Sequence, residues 1–267
     1  MKWLWKWTRR LLFLVAALYL IGLGALYFGQ EFFIFRPETL DESFAFQFED
    51  PYEEIWLETA DGAQVNALHF KAPDSKGVLL HLHGNGGCLQ RTAGIYKAFT
   101  DQGLDFFAID YRTYGKSTGD RSVEGFIADA EAAYSFLKDR HPENQIRVYG
   151  QSLGTGIATA IAAAHSPHSL TLEAPYTAIA DVAAGDFPIF PVRPLLKYPF
   201  ECIETIPQVS CPVLVFHGTN DRTIPYWQGK KVAESAPNGT LATMIGEGHR
   251  LSSIVIHHPD LFPHLLK

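Results

Sequence analysis

The chain has 267 residues, 47% of them hydrophobic and 19% charged, with a formal net charge of −7. Four of its 22 basic residues lie in the first ten positions (Lys2, Lys6, Arg9 and Arg10), so the remainder sets 18 basic residues against 29 acidic ones. A body that acidic offers no basic face to a phosphate backbone, which excludes nucleic acid as a partner; the length suits one large α/β domain.

From Leu11 to Gly29 no residue is charged, and at 1.5 Å per residue that run is about 28 Å long, close to the hydrocarbon thickness of a bilayer. Trp3, Trp5 and Trp7 precede it, where amphipathic rings favour the headgroup level. The expectation is a basic, Trp-rich segment over 1–10, a transmembrane anchor over 11–29 and a catalytic domain over 30–267. The basic flank comes before the run and Glu31 after it, which predicts a cytoplasmic N-terminus with the catalytic body on the other side. Three rival readings are a signal peptide cleaved after Gly22-Leu23-Gly24, a twin-arginine signal at Thr8-Arg9-Arg10-Leu11-Leu12, and a peripheral helix. The segment Glu31–Pro37 stays apolar and is expected to pack where the domain meets the bilayer.

Next come a hairpin, Glu54–Thr59 and Gln64–Phe70, turned at Asp61-Gly62. The chain then alternates. Apolar strand runs appear at Val78–Leu82, Leu104–Ile109, Ile146–Tyr149, Leu170–Leu172, Val213–Phe216 and Leu241–Ile245. Helices are predicted over Gln90–Thr100, Ser122–Arg140, Leu153–His165 and Tyr226–Ser235. This alternation predicts a mostly parallel sheet with helices on both faces, and continuous apolar strands fit burial on both sides. Residues 174–210, following the sixth strand, break the rhythm with six prolines between Glu173 and Cys211 interleaved with aromatic and aliphatic residues. Too apolar for a solvated linker, the stretch reads as a small cap over the carboxyl edge of the sheet. There is no internal repeat, low-complexity tract or second domain.

Gly150-Gln151-Ser152-Leu153-Gly154 sits where a β-branched, aromatic run gives way to a small-residue, helix-compatible one. A serine on a sharp strand-to-helix turn is a nucleophile elbow, whose strained backbone demands glycine two residues before and after. Serine needs a base and an orienting acid, expected in the chain order Ser, Asp or Glu, His. His249, in a glycine-rich loop after the last strand, is the candidate base; His257, His258 and His264 come later and read as surface residues of a C-terminal helix. Asp221, after the strand Val213–Phe216, is the candidate acid, with Glu173 as the structural alternative and Asp181 and Asp186 as weaker ones. The oxyanion hole is expected from the backbone N–H of Leu153 and that of Asn85 in His83–Gly87, with Gly86 as runner-up. His81 and His83 are spaced as two zinc ligands, but no third ligand suggests itself, so neither a metal nor a cofactor is expected. Cys88, Cys202 and Cys211 form no even framework and read as buried free thiols, a Cys202–Cys211 bridge being open only outside the cytoplasm.

Together these segments resemble the α/β-hydrolase superfamily, and within it the small serine hydrolases with one N-terminal membrane anchor and a minimal cap. The resemblance runs from about Glu31 to His258. It rests on Phe33-Ile34-Phe35-Arg36-Pro37, Thr59-x-Asp61-Gly62, His83–Gly87, Asp110–Ser117, the elbow, and the Asp221 and His249 loops. The family pattern has Gly where this chain has Thr113, which bears on the local turn; Tyr111–Gly115 reads as support beneath the site. Animal relatives of this kind are lysophospholipid lipases and protein depalmitoylases, so the resemblance implies a small-molecule or lipid acyl ester or thioester as substrate. A serine peptidase of the same fold and a catalytically silent membrane-anchored binding module are the alternatives. Oligomeric state is not legible.

Overall fold

The computed structural model describes residues 2–256; the expected histidines His257, His258 and His264 lie outside them. Eight strands form one sheet: β1 (Glu53–Glu58), β2 (Gln64–Phe70), β3 (Val78–Leu82), β4 (Asp105–Ile109), β5 (Ile146–Gln151), β6 (Ser169–Glu173), β7 (Val213–Gly218) and β8 (Gly239–Met244). Their spatial order is β8-β7-β6-β5-β3-β4-β2-β1. β1 and β2 pair antiparallel, as do β2 and β4, and every other pair is parallel. Alternate residues of the central strands face opposite sides. Val78, Leu80, Leu82, Phe107 and Ile109 enter one core, while Leu79, Phe106, Ala108 and Tyr149 enter the other. Burial on both faces is what the unbroken apolar runs require.

Five longer helices are α1 (Lys2–Ile34), α2 (Val123–Lys138), α3 (Gly154–Ala164), α4 (Ile179–Asp186) and α5 (Tyr226–Ser235). α2 begins where the Ser122 side chain accepts from the Gly125 N–H at 2.9 Å, a side-chain N-cap. It buries Phe126, Ala130, Ala133, Tyr134 and Leu137, spaced three or four apart along one face. α3 is built of small residues and lies close on β5: a Cβ on Gly150 would come within 2.6 Å of Ala158 Cβ.

The structure departs from expectation in several places. The helix expected over Gln90–Thr100 is broken into Leu89–Thr92, a 3-10 turn at Ala93–Ile95, and Tyr96–Thr100. Leu89, Ala93, Tyr96 and Phe99 all enter the core from this interrupted segment. The last strand ends at Met244, leaving Ile245 85% exposed. α1 is one helix through Ile34, so Glu31–Ile34 continues the expected anchor rather than linking it to the domain, and Phe35 enters the core beside Phe126 and Tyr198. The stretch expected as a single cap divides. Residues from Phe187 to Lys197, including a one-turn helix at Val192–Leu195, lie against α1, whereas Ile179 and Val182 of α4 and then Tyr198, Phe200, Cys202, Ile206 and Val209 pack on the main core. Cys88, Cys202 and Cys211 are free and buried, and burial pushes the thiols up, that of Cys202 to about 12.

α1 is long and apolar enough to cross a membrane, and its large side chains from Trp3 to Phe33 are mostly exposed. Thr113 adopts the left-handed region at φ 69°, where the family pattern has Gly. The turn survives with a β-branched residue because Arg121 Nε donates to Thr113 Oγ1 at 2.8 Å. Below the site, Arg112 is pinned in the protein by Asp129 (2.8 Å) and Asp61 (2.8 Å), so Tyr111–Gly115 is indeed a structural support.

His81 is buried between the rings of Phe106 and Tyr149, and neither ring nitrogen has a hydrogen-bond partner among the described residues. Burial, then the neighbouring His83, lowers its pKa from 6.5 to about 3. The unfolded chain takes up this proton below 6.5 and the folded one only near 3, so stability falls as pH drops through that window. Between pH 7 and pH 5 the loss from this group is about 2 kcal/mol. In urea unfolding across that range, His81→Phe should flatten the decline by about that amount; an unchanged slope would mean that His81 does not titrate this way.

Candidate active site

Ser152 sits at the carboxyl end of β5 with φ 48°, a strained backbone for any residue but glycine. Three bonds hold it there. Its N–H donates to the Glu173 carbonyl (2.9 Å), and its own carbonyl accepts from the Thr155 N–H (2.9 Å) and Thr155 Oγ1 (2.6 Å). The flanking glycines have no room for a side chain: a Cβ on Gly154 would collide with the carbonyl oxygens of Leu82 and His83.

Ser152 Oγ lies 2.9 Å from His249 Nε2, and His249 Nδ1 lies 2.7 Å from Asp221 Oδ2. Asp221 Oδ1 accepts from the N–H groups of Thr223 (2.8 Å) and Ile224 (2.9 Å), which fix the carboxylate in its turn. Burial works against ionisation of Asp221, but hydrogen bonds from His217 and His249 outweigh it and hold the carboxyl well below the usual carboxylate range. An acceptor carboxylate on Nδ1 leaves Nε2 free to take a proton from the serine.

The loop His83–Gly87 abuts the serine: a Cβ on Gly84 would stand 3.4 Å from Ser152 Cβ. Its carbonyls are held from within the loop and from outside it. Gly84 O lies 2.7 Å from His83 Nδ1, and Asn85 O accepts from the Arg36 N–H (2.8 Å) and Tyr114 Oη (2.9 Å). Among the described residues the N–H groups of Asn85 and Leu153 donate to no protein acceptor.

Glu173, the alternative acid, is not placed against His249. It is fully buried, and five donors converge on it: Gln151 Nε2 (3.0 Å), Tyr149 Oη (2.5 Å), the N–H groups of Leu251 and Ser252 (2.9 Å each) and Ser252 Oγ (2.6 Å). An acceptor-only side chain suits that set. Glu173 thus ties the residue before the nucleophile to the loop just after His249, a role sequence reasoning missed. The available signal was a charged residue ending an otherwise apolar strand. Asp181 pairs with Arg193 and Thr177 in the cap, and Asp186 lines the cavity wall. His81 and His83 lie against different aromatic pairs, His83 beside Tyr111 and Tyr114, and no metal-binding cluster occurs among the described residues.

Two cavities meet at Ser152 and His249. One, of about 550 Å³, runs under the cap between Phe33, Ile34, Tyr176, Ile179, Val182 and Phe187. The other, of about 510 Å³, holds Arg91 and shares Arg36 and Arg250 with the first. These three arginines are exposed, and among the described residues none has a carboxylate partner, unlike Arg112, Arg121 and Arg193. Their clustering was not visible in the sequence, where they are over 200 positions apart at the extremes.

A serine aminopeptidase (S33) family model matches residues 73–198. An uncharacterised protein of Mycobacterium tuberculosis is 32% identical over 203 residues, 73% of this chain and 72% of that one. The lysophosphatidylserine lipase ABHD12 of Macaca fascicularis is 28% identical over 198 residues, 67% of this chain but 50% of its own, so the chain spans about half the length of these lipases. An esterase of Pyrococcus furiosus superposes with a TM-score of 0.68 at 17% identity, covering 86% of this chain and 98% of that one.

Glu173→Gln keeps the volume but turns a donor toward donors. It should lower kcat for ester hydrolysis about 10- to 100-fold with little change in KM, as the His249 loop loses its register. An unchanged kcat would show that the clamp does not position the base.

Proposed function

The chain belongs to the α/β-hydrolase superfamily, and from that premise we propose that it is a serine hydrolase that cleaves acyl esters or thioesters through an acyl-enzyme. The single observation that carries this reading is the linked set Ser152 Oγ, His249 and Asp221 at the meeting point of two cavities, one walled by the cap and both bordered by Arg36 and Arg250. Ser152 Oγ attacks the acyl carbonyl as His249 Nε2 takes its proton, and Asp221 holds the imidazole in the required tautomer. The oxyanion is received by the N–H groups of Leu153 and Asn85, each contributing about 2.7–4 kcal/mol to the transition state. His249 then gives its proton to the departing alkoxide or thiolate as the bond from the acyl carbon breaks. Water, deprotonated by His249, attacks the acyl-enzyme; the proton returns to Ser152 Oγ and the fatty acid leaves.

The aliphatic and aromatic wall of the cap cavity suits the acyl chain and the arginines that border both cavities an anionic leaving group, in keeping with the lysophosphatidylserine lipases among the relatives. α1 would anchor the enzyme as a single-pass membrane protein, with the charge bias of its flanks favouring a cytoplasmic N-terminus and an extracytoplasmic catalytic body. The aminopeptidase description of the family model raises a second reading. An aminopeptidase must hold a substrate ammonium, and around this site Arg36, Arg91, Arg222 and Arg250 set four cations against one lining carboxylate, Asp186.

Ser152→Ala should reduce hydrolysis of p-nitrophenyl butyrate by about 10⁴-fold or more, and the wild type should leave alanine p-nitroanilide uncleaved. Ester hydrolysis by the variant at the wild-type rate would overturn the nucleophile, and faster cleavage of the anilide would favour the peptidase.

A further inference from the structure

We propose that the tip of the cap, Phe187–Pro191, enters the same membrane leaflet as the second half of α1, and that the seam between them admits a lipid's acyl chain to Ser152 from the bilayer. The inference rests on the esterase reading for the chemistry, but its geometry is independent of it.

Depth is the first argument. Tyr19 stacks on Phe190 with ring centroids 5.1 Å apart, and its hydroxyl donates to the Ile189 carbonyl at 3.3 Å. At Gly22 an added Cβ would stand 2.6 Å from Phe190 Cζ, so the ring packs directly on the glycine and would have to shift for any side chain there. Tyr19 lies ten positions before Gly29, the last residue of the uncharged run. Along a helix that is about 15 Å, half of a hydrocarbon core about 30 Å thick. A helix that spans the bilayer therefore carries the cap tip down with it.

The tip is built for that surrounding. Phe187-Pro188-Ile189-Phe190-Pro191 has no charge, and Ile189 is 71% exposed. Backbone donors in hydrocarbon must find partners within the protein. Here the N–H groups of Phe187, Phe190 and Val192 bond to Ala183, Phe187 and Phe190 carbonyls and Pro188 and Pro191 have none to satisfy, which leaves the Ile189 N–H as the one tip donor without an acceptor among the described residues. Polar contacts resume nearer the catalytic domain. Lys197 Nζ sits 4.6 Å from the Tyr27 ring centroid, and buried Gln30 donates to the Leu195 carbonyl and accepts from the Lys197 N–H.

A shared wall separates the seam from the catalytic cavity. A small apolar cavity of about 50 Å³ lies between α1 and the cap beside Leu26, Leu195 and Leu196. It shares Phe33, Ile34, Ile179, Ala183 and Phe187 with the cavity that reaches Ser152. The membrane helix thus forms one wall of the acyl cavity as well as a tether, and the occupant that fits an apolar seam opening at that depth is a single lipid acyl chain.

The test uses the full chain reconstituted in phosphatidylcholine vesicles. Ile189→Cys is labelled with a nitrobenzoxadiazole fluorophore; Cys88, Cys202 and Cys211 are buried, and wild-type labelling gives the background. Quenching by lipids bearing a nitroxide on the acyl chain, and not by aqueous iodide, is the expected result, and quenching by iodide alone would overturn the proposal. In the same vesicles Ile189→Asp should lower hydrolysis of 4-methylumbelliferyl palmitate about tenfold or more, because a charge is forced into hydrocarbon. Hydrolysis of the butyrate ester should be unchanged, since Ile189 faces away from both cavities at the site. Equal loss of both activities, or loss of neither, would overturn the entrance. The fluorescence result does not depend on turnover, so failure of the esterase reading would show separately, in Ser152→Ala.

Discussion

The left-handed backbone at Ser152 is the constraint on which the rest of this structure depends. Holding a non-glycine residue there costs on the order of 1–3 kcal/mol, and the cost is met locally. Gly150 lets α3 approach β5, Gly154 lets the turn pass beneath the carbonyls of Leu82 and His83, and Glu173 and Thr155 bond to both ends of the serine's backbone. Such a turn lifts the hydroxyl clear of the sheet edge at the N-terminus of α3. Glu173 serves twice, its carbonyl holding the Ser152 N–H and its carboxylate gathering Gln151, Leu251 and Ser252. One buried residue therefore sets the spacing between the elbow and the loop that carries His249.

A second dependence runs from the apolar helix to the oxyanion loop. Directly after α1 the chain pairs with that loop, Arg36 with Gly86 and Pro37 with Gly87, and the Arg36 N–H holds the Asn85 carbonyl. Glu31, in the last turn of α1, bonds to Tyr198 and Arg121, and Gln30 bonds to the cap. The helix, the cap and the loop next to Ser152 are thus bonded to one another, which makes α1 part of the site's architecture.

Much of this was legible in the sequence because the signals are local and periodic. The unbroken apolar strands and the alternation with helices carried the sheet, and the elbow with its flanking glycines, Asp221 and His249 were readable from type, context and chain order. The errors have a common cause. The broken helix at 89–100, the division of the proline-rich stretch and the far end of β8 are decided by which side chains reach the core, a tertiary matter that spacing does not encode. Glu173 looked like a spare acid because its five donors come from two segments far apart in the chain, 149–151 and 251–252. The basin of Arg36, Arg91 and Arg250 and the contact of Tyr19 with Phe190 were invisible for the same reason: each joins residues far apart in the chain.

The account stands on Ser152 being the reactive nucleophile, activated by His249. The most direct test is to treat the full-length protein with an alkyl fluorophosphonate and map the adduct by peptide mass spectrometry. The prediction is one adduct, on Ser152, formed at a rate that collapses in His249→Ala. Modification elsewhere, or labelling of Ser152 that is indifferent to the loss of His249, would contradict it.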